Sequence, residues 1–255
     1  MSAISFDNLN LTLGTKCILD DVSSSIKAGE FTILLGPNGT GKSSLLKLIS
    51  REWKTKGDVA YFGKALADWK PAQLAKHLGV LPQHSNLTFA FTAKEVVELG
   101  GLNLAASQKE IEEIAAQKMA QTDVTHLEDR LFPSLSGGEK QRVHLARVLT
   151  QISQAGEQQA LLLDEPTSAL DLGHQHKTLG LAKEMAKNGA AVVAVIHDLN
   201  LAAQYGDRVI MLNQGHIVAD GKPDDVLTPE LIEQVYQWQV TVIPHPVHGY
   251  PVIVS

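Results

Sequence analysis

Residues 36–43, which read Gly-Pro-Asn-Gly-Thr-Gly-Lys-Ser, constrain the fold of this chain more than any other segment. They match the pattern G-x-x-x-x-G-K-[ST], in which glycines allow backbone N–H groups to surround phosphate oxygens. An apolar run at 31–35 precedes this loop, and residues 44–49 follow it with helical apolar spacing. The order of strand, glycine loop and helix predicts a phosphate-binding loop, to which the helix adds its positive end. We expect Lys42 to neutralise phosphate charge and the Ser43 hydroxyl to bind Mg²⁺.

Apolar runs and helical segments alternate through much of the remaining chain. The runs at 160–163 and 191–196 lie on either side of a helical segment at 174–188. Strands that alternate with helices predict a mainly parallel α/β sheet. Upstream of the phosphate loop, runs at 9–13 and 17–19 are separated by a Gly-Thr turn, which predicts β-strands of an N-terminal antiparallel portion.

The pattern changes between about 90 and 130, where apolar residues recur at three- and four-residue spacing beside charged residues. This periodicity predicts an inserted α-helical subdomain. We therefore expect a single domain over residues 1–255. Within it, about 1–88 and 151–255 form the α/β core, and about 89–150 form the helical subdomain.

Composition and charge argue against several classes of protein. The formal net charge of −6 disfavours nonspecific nucleic-acid binding, which needs basic residues that displace counterions from phosphates. No apolar run approaches the ~20 residues that cross a bilayer as a helix, and the amino terminus lacks the features of a secretory signal, so we expect the chain in the cytosol. The single cysteine, Cys17, excludes an internal disulfide and is expected to be a small buried apolar residue.

A second candidate site is the run Ala-Leu-Leu-Leu that ends in Asp164 and Glu165. A buried strand would deliver these carboxylates to its carboxyl end, the edge at which α/β sheets bind ligands. Because successive side chains of a strand point in opposite directions, the two acids should have different tasks. We assign Asp164 to Mg²⁺, directly or through water, and Glu165 to the base that orients or deprotonates an attacking water. Taken alone, the pair fits equally well with two acids at the start of a helix.

A third element is the sequence Leu-Ser-Gly-Gly-Glu at 135–139, which a helical pattern follows. Ser136, Gly137 and Gly138 at a helix start could bind an anion, although a simple helix N-cap is the commoner explanation. In this order, the three elements resemble the ATP-binding cassette (ABC) family of transport ATPases, whose signature sequence is of the type seen here. The resemblance covers essentially the whole chain and implies a P-loop NTPase fold with a RecA-like core.

The resemblance also implies roles for individual residues. Gln83 matches a glutamine that contacts Mg²⁺ and the attacking water, and His197 matches a switch histidine that contacts the γ-phosphate. Asp171 lies in a stretch that resembles the loop by which one cassette senses its partner. The implied catalytic residues are Glu165, His197 and Gln83, and the implied Mg²⁺ ligands, partly through water, are Ser43, Gln83 and Asp164. The implied ATP-binding residues are Gly36, Pro37, Asn38, Gly39, Thr40, Gly41, Lys42, Ser43 and Ser44.

The family resemblance further implies partners. Two cassettes of this family pair head to tail, so each ATP lies between the phosphate loop of one subunit and the signature turn (Ser136, Gly137 and Gly138) of the other. The implied assembly contains a homodimer of this chain, two membrane-spanning permease subunits and, indirectly, a periplasmic binding protein. It places the chain at the cytoplasmic face of the inner membrane. ATP would close the dimer, and hydrolysis would release it.

One departure from the family concerns recognition of adenine. Cassettes usually carry an aromatic residue ahead of the phosphate loop that stacks on the base, whereas residues 9–16 contain none. Leu13 is the nearest equivalent, and it offers apolar contact without π-stacking, a loss of ~1 kcal/mol. Base selectivity is therefore expected to be relaxed, with some use of GTP.

The cargo is indicated by resemblance alone. Residues 81–92, 171–176 and 197–202 are similar to importers of iron chelates, vitamin B12 and hemin, and residues 242–252 resemble the ending of hemin-importer subunits. We expect hemin, delivered by a periplasmic hemin-binding protein, with a ferric siderophore or vitamin B12 as the alternative cargo. A soluble ABC ATPase without a transport role is a further alternative. Its DNA-repair form would need long coiled-coil arms, and the sequence has no sustained heptads.

Overall fold

The computed structural model describes residues 2–83 and 89–255. The strands are β1 (Ser2–Leu13), β2 (Lys16–Lys27), β3 (Phe31–Leu35), β4 (Asp58–Tyr61), β5 (Lys64–Ala65), β6 (Leu78–Leu81), β7 (Ala160–Asp164), β8 (Ala191–Val195), β9 (Arg208–Asn213), β10 (His216–Gly221), β11 (Thr241–Pro244) and β12 (Pro251–Val254). The α-helices are α1 (Lys42–Ile49), α2 (Pro71–Leu74), α3 (Ala93–Glu98), α4 (Gln108–Gln121), α5 (Gly137–Gln151), α6 (Leu172–Lys187), α7 (Leu199–Tyr205), α8 (Pro223–Val226) and α9 (Pro229–Tyr236). Within the described ranges, no helix combines the length and apolar character needed to cross a membrane.

A central sheet with the strand order β10-β9-β3-β8-β7-β6 forms the core of the fold. The strands from β9 to β6 pair in parallel, whereas β10 is antiparallel to β9. A second sheet, in the order β2-β1-β4-β5, is antiparallel. The predicted fold class is therefore confirmed. Strands β11 and β12 form a C-terminal hairpin that the sequence analysis did not predict.

Both faces of the central sheet are covered, which explains why its inner strands are continuous apolar runs. Alternate side chains of β3 enter opposite layers, as the two-residue period of a strand requires. Phe31, Ile33 and Leu35 join the apolar cluster to which α5, α6 and α7 contribute. Leu34 joins the cluster that α1 and the antiparallel sheet complete on the other face. The sheet is thus fixed in register by two buried layers.

The helices between the central strands enclose an apolar cluster of their own. It contains Val96 of α3, Met119 of α4 and Val143 of α5. Farther along α5, Val148 belongs to the cluster beneath the central sheet. Helix α5 therefore links the two clusters. The predicted division of the chain near residues 89 and 150 stays a prediction, and residues 84–88, beside its first boundary, lie outside the described residues.

Each of these three helices begins at a capping box, in which a Ser or Thr hydroxyl and a Glu carboxylate satisfy each other's backbone N–H groups. This local chemistry explains where the helices start, because the first N–H groups of a helix have no intrahelical partner. The pairs are Thr92 with Glu95, Ser107 with Glu110, and Ser136 with Glu139.

Cys17 is exposed, so the expectation that it is buried was wrong. It lies near the start of β2 opposite Thr12, next to the turn that joins β1 and β2. At this end the two-stranded ribbon extends past the apolar core, and the first buried side chain of β2 is Leu19. The position of the turn, and not the polarity of the residue, decided the exposure.

His144 is a buried histidine on α5. Its exposed fraction is 3%, and its ring lies edge-on to Phe132 with the ring centroids 4.8 Å apart. Neither ring nitrogen has a hydrogen-bond partner among the described residues. Burial, assisted by the charge of Arg147, lowers the pKa of His144 to about 4. The imidazole is therefore neutral in the folded protein at pH 7.

We predict that His144 makes the protein less stable in mild acid. The unfolded chain takes up a proton near the ordinary pKa of 6.5, whereas the folded chain resists protonation until pH falls to about 4. This contribution to stability is therefore complete above pH 6.5 and is lost as pH falls towards 4. Urea unfolding at pH 7 and pH 5 should show the wild type losing up to about 1.4 kcal/mol more per pH unit than His144→Leu.

The matched control is His126→Gln, because His126 is exposed in the same group of helices. This variant should keep the pH dependence of the wild type. An identical pH dependence in wild type and His144→Leu would contradict the prediction.

Candidate active site

Four adjacent parallel strands deliver predicted site residues to one edge of the central sheet. β3 continues into Gly36 of the phosphate loop, β8 leads to His197, and β7 ends at Asp164 with Glu165 next in the chain. β6 is followed two residues later by Gln83. Since parallel neighbours end at the same edge, these side chains converge from segments that are far apart in sequence.

The phosphate loop, residues 36–43, turns tightly at Gly36, Gly39 and Gly41, which all have positive φ. A Cβ atom at Gly36 would lie 2.1 Å from the carbonyl oxygen of Leu212, so a larger residue does not fit there. Helix α1 begins at Lys42 directly after the loop. The first N–H groups of a helix have no intrahelical partner, and here they point towards the loop end where a phosphate would bind.

The Lys42 ammonium is held against the carbonyl groups of its own loop. Its Nζ donates to the carbonyl oxygens of Gly36, at 2.7 Å, and Pro37, at 2.9 Å. Burial lowers the pKa of Lys42, and the negative charges of Glu165 and Asp164 oppose that shift. The loop therefore holds a buried cationic group between backbone oxygens and two carboxylates.

Asp164 and Ser43 form an oxygen-rich pair beside the loop. Ser43 Oγ donates to Asp164 Oδ1 at 2.8 Å, and both residues line a cavity of about 150 Å³ together with Gln83. Burial raises the pKa of Asp164, the bond from Ser43 lowers it, and the charge of Glu165 raises it further. A carboxylate, a hydroxyl and an amide oxygen are the ligands that Mg²⁺ prefers. The residues present therefore fit that cation.

Glu165 is paired with His197. Glu165 Oε1 lies 2.7 Å from His197 Nε2, across the ends of two adjacent strands. Burial works to raise the pKa of Glu165, but hydrogen bonding from the side chains of His197 and Gln83 outweighs it and leaves the pKa below its ordinary value. The carboxyl is therefore ionised at pH 7 and can accept a proton.

These groups surround a cavity of about 570 Å³, within the range of small-molecule sites. Asp164 lies next to it, on the smaller cavity that also contains Ser43 and Gln83. The structure thus brings together the phosphate loop, Gln83, Asp164, Glu165 and His197. The lining residues of the larger cavity are Lys16, Ile18, Asn38, Gly39, Gly41, Lys42, Ser43, Ser44, Gln83, Glu165 and His197.

Leu13 does not line either cavity, and its role as the counterpart of the adenine-stacking aromatic stays a prediction. It lies at the end of β1 with 48% of its surface exposed. Lys16 and Ile18 line the larger cavity instead. The reason is that β2, and not the end of β1, packs on the phosphate loop, where a Cβ on Gly41 would lie 3.0 Å from the carbonyl oxygen of Ile18.

The signature turn and Asp171 lie outside this cavity. Ser136 caps α5: its Oγ accepts from the N–H of Glu139 at 3.3 Å, so the turn is a helix N-cap. Asp171 caps α6, where its Oδ1 accepts from the backbone N–H of His174 at 2.9 Å. That bond is the main reason that the pKa of Asp171 is lowered. Within one chain, these residues do not contact the groups around Lys42.

Tyr236 is a site residue that the sequence analysis missed. Its hydroxyl accepts a hydrogen bond at 3.0 Å from the backbone N–H of Gly36, the first residue of the phosphate loop. Burial raises the pKa of Tyr236 to about 12, against the effect of the Gly36 N–H, so the phenol is neutral. The two residues are 200 positions apart, and no local pattern could have revealed the contact.

The sheet order, the glycine loop and the converging carboxylates define a P-loop nucleotide-binding domain. The sequence profile of the ABC transporter family matches residues 19–168. The chain belongs to this family, and it is one of the family's ATP-binding cassettes.

Individual relatives and solved structures agree with this assignment. The hemin import ATP-binding protein HmuV of Photobacterium profundum is 59% identical over 253 residues, which cover 99% of this chain and 91% of the relative. The protein of the same name from Vibrio cholerae serotype O1 is 55% identical over 252 residues, which cover 98% of this chain and 97% of the relative. A bacterial ABC transporter cassette solved as a dimer gives a TM-score of 0.77 at 31% identity, and covers 86% of this chain and 98% of that chain.

We predict that Tyr236→Phe weakens ATP binding. The substitution removes the acceptor for the Gly36 N–H, and loss of one such bond corresponds to about a fivefold change in affinity. Calorimetric titration of ATP into the purified protein measures it. Tyr205→Phe is the matched control, since Tyr205 bonds to His176 on α6 and does not line the cavity. Equal ATP affinity in wild type and Tyr236→Phe would contradict the proposed support of the loop.

Proposed function

We propose that this chain is the ATP-hydrolysing subunit of an ABC importer that energises uptake of hemin across the inner membrane. The observation that supports hydrolysis best is the meeting of the phosphate loop with the Glu165–His197 pair and the buried Asp164 at one edge of the sheet. The proposed cargo is supported by relatives named hemin import ATP-binding proteins, 54–59% identical over nearly the whole chain.

In this proposal, hydrolysis depends on positions already fixed by the fold. Backbone N–H groups of the phosphate loop and the Lys42 ammonium bind the β- and γ-phosphates and stabilise charge that develops there. The ionised Glu165 accepts a proton from a water molecule. The oxygen of that water bonds to the γ-phosphorus as the bond from phosphorus to the ADP oxygen breaks. His197 orients Glu165 through the 2.7 Å contact. It would also contact the γ-phosphate, as the family resemblance implies.

Mg²⁺ accompanies ATP in this proposal. Ser43, Asp164 and Gln83 are the residues that would hold it, partly through water, and their oxygen atoms suit a hard cation. When bound, the ion neutralises charge on the β- and γ-phosphates.

The position of the signature turn supports a dimer. Ser136, Gly137 and Gly138 do not line the cavity around Lys42 of the same chain. In a head-to-tail homodimer they would instead cover the ATP bound to the partner, with Asp171 near the shared interface. The proposed complex adds two permease subunits, with a periplasmic hemin-binding protein delivering cargo from the other side. The chain would then lie peripherally at the cytoplasmic face of the inner membrane.

Glu165→Gln tests the assignment of the base. We predict that the variant still binds ATP, because the phosphate loop is unchanged, and that it accumulates as a closed dimer. Its turnover should fall by ~10²-fold or more, the scale of a lost general base. Phosphate release and size-exclusion chromatography in the presence of ATP measure the two effects. Wild-type turnover in Glu165→Gln would show that another residue acts as the base.

The cargo is tested by ATP hydrolysis of the complex purified from native membranes through this chain. The complex is reconstituted with its periplasmic binding protein loaded with hemin, vitamin B12 or a ferric siderophore, and Glu165→Gln is the inactive control. We predict that hemin-loaded binding protein stimulates hydrolysis and that the other two do not. Stimulation by another cargo would reassign the substrate. If no membrane protein copurifies, the transport role itself fails and a soluble ABC ATPase becomes the better explanation.

A further inference from the structure

The backbone of Glu165 is held in an unusual conformation. Glu165 has φ +52°, in the left-handed region that favours glycine and that other residues adopt when surrounding contacts enforce it. Its carbonyl oxygen accepts hydrogen bonds from Gln141 Nε2 at 2.8 Å, from Ser168 Oγ at 3.1 Å and from the Ser168 N–H at 3.3 Å. The orientation of this peptide is therefore set by three donors on one oxygen.

Gln141 is the donor that comes from outside the loop. It lies on α5, near the signature turn, and its side chain reaches across to the end of β7. A carbonyl oxygen can only accept, so the amide nitrogen of Gln141 must face Glu165. The amide oxygen is then buried and has no partner among the described residues. An unpaired buried oxygen lowers the stability of the folded protein. The hydrogen bond that Gln141 donates to the Glu165 carbonyl is therefore the interaction that explains why a glutamine occupies this position.

A second contact fixes α5 to the same loop. A Cβ atom on Gly138 would lie 2.7 Å from the carbonyl oxygen of Ala169 and 3.3 Å from Leu170 Cδ2. The signature turn therefore lies directly against the residues that follow Glu165, and only glycine allows this approach. Helix α5 thus contacts the loop after β7 at two residues, Gly138 and Gln141.

We propose that Gln141 is a positioning residue for hydrolysis, which holds the Glu165 peptide so that the carboxylate keeps its orientation towards His197 and the attacking water. The inference rests on the proposed function, since it assumes that Glu165 is the base. Gln141 acts through the backbone of Glu165 and does not line the nucleotide cavity. Through this contact, the orientation of the Glu165 carboxylate depends on the position of α5, the helix that begins at the signature turn.

The test uses the assembled, reconstituted transporter with Gln141→Ala and Gln141→Glu. The first variant removes the donor, and the second keeps the shape of the side chain while replacing the donor by an acceptor that faces the Glu165 carbonyl. We expect kcat for ATP hydrolysis to fall about tenfold in both variants, and KM for ATP to stay within about twofold of wild type. The reason is that the substitutions disturb the orientation of the base in the transition state and leave the ATP-binding groups unchanged. Thermal unfolding establishes whether each variant is folded. If Gln141→Ala does not fold, Gln141→Glu carries the test.

Gln151→Ala is the matched control. Gln151 lies on the same helix, and its side-chain amide also donates to backbone carbonyls, those of Ala75 and Leu78, away from Glu165. This variant should keep kcat close to wild type. An equal loss of kcat in Gln151→Ala would mean that any loosening of α5 lowers turnover, and it would overturn the specific role of Gln141.

A double-mutant cycle separates positioning from general destabilisation. If Gln141 acts only through Glu165, adding Gln141→Ala to Glu165→Gln causes no further loss of the residual turnover. Losses that multiply in the double variant would overturn the proposal, as would a wild-type kcat in Gln141→Ala and Gln141→Glu. Ordinary turnover of Glu165→Gln alone would instead refute the assignment of the base, so the two failures are distinguishable.

Discussion

The hydrogen-bonded register of three parallel strands is the constraint on which the site depends. Leu34 of β3 lies opposite Val195 of β8, and Val195 lies opposite Asp164 of β7. The phosphate loop, His197 and Glu165 therefore start at the same level of the sheet. A slip of one residue in any strand would exchange its buried faces, since side chains alternate with a period of two. Packing on both faces of the sheet thus fixes the geometry of the site.

Charge is partly balanced within the site by groups from different strands. Burial lowers the pKa of Lys42 and raises that of Asp164, and nearby opposite charges and hydrogen bonds offset each shift only in part. Isolated buried charges are costly, whereas paired and hydrogen-bonded ones are tolerated. The same arrangement leaves Glu165 ionised beside His197. The groups that would face a highly charged phosphate chain are therefore only partly compensated by their neighbours.

Helix α5 joins parts of the molecule that the sequence presents as separate. Its first half packs in the helical cluster and its second half beneath the central sheet. Its capping box defines the signature turn, and Gln141 in its second turn bonds to the peptide of Glu165. A movement of the helical cluster would therefore act directly on the loop that follows β7. This connection is a property of packing, because the contact joins residues 24 positions apart through side chain and backbone.

The phosphate loop, the acidic pair at the end of β7, the helix start at Ser136 and the α/β class can all be predicted from the sequence alone, because each depends on local spacing and residue chemistry. The sequence also carried the resemblance that implied Gln83, His197 and Asp171. Other features are visible only in the folded chain: the hydrogen bonds of Tyr236 to Gly36 and of Gln141 to Glu165, the presence of Ile18 and not Leu13 in the cavity lining, and the exposure of Cys17. These features depend on which distant segments pack together, and local periodicity cannot specify contacts between segments that meet only after the sheet has formed.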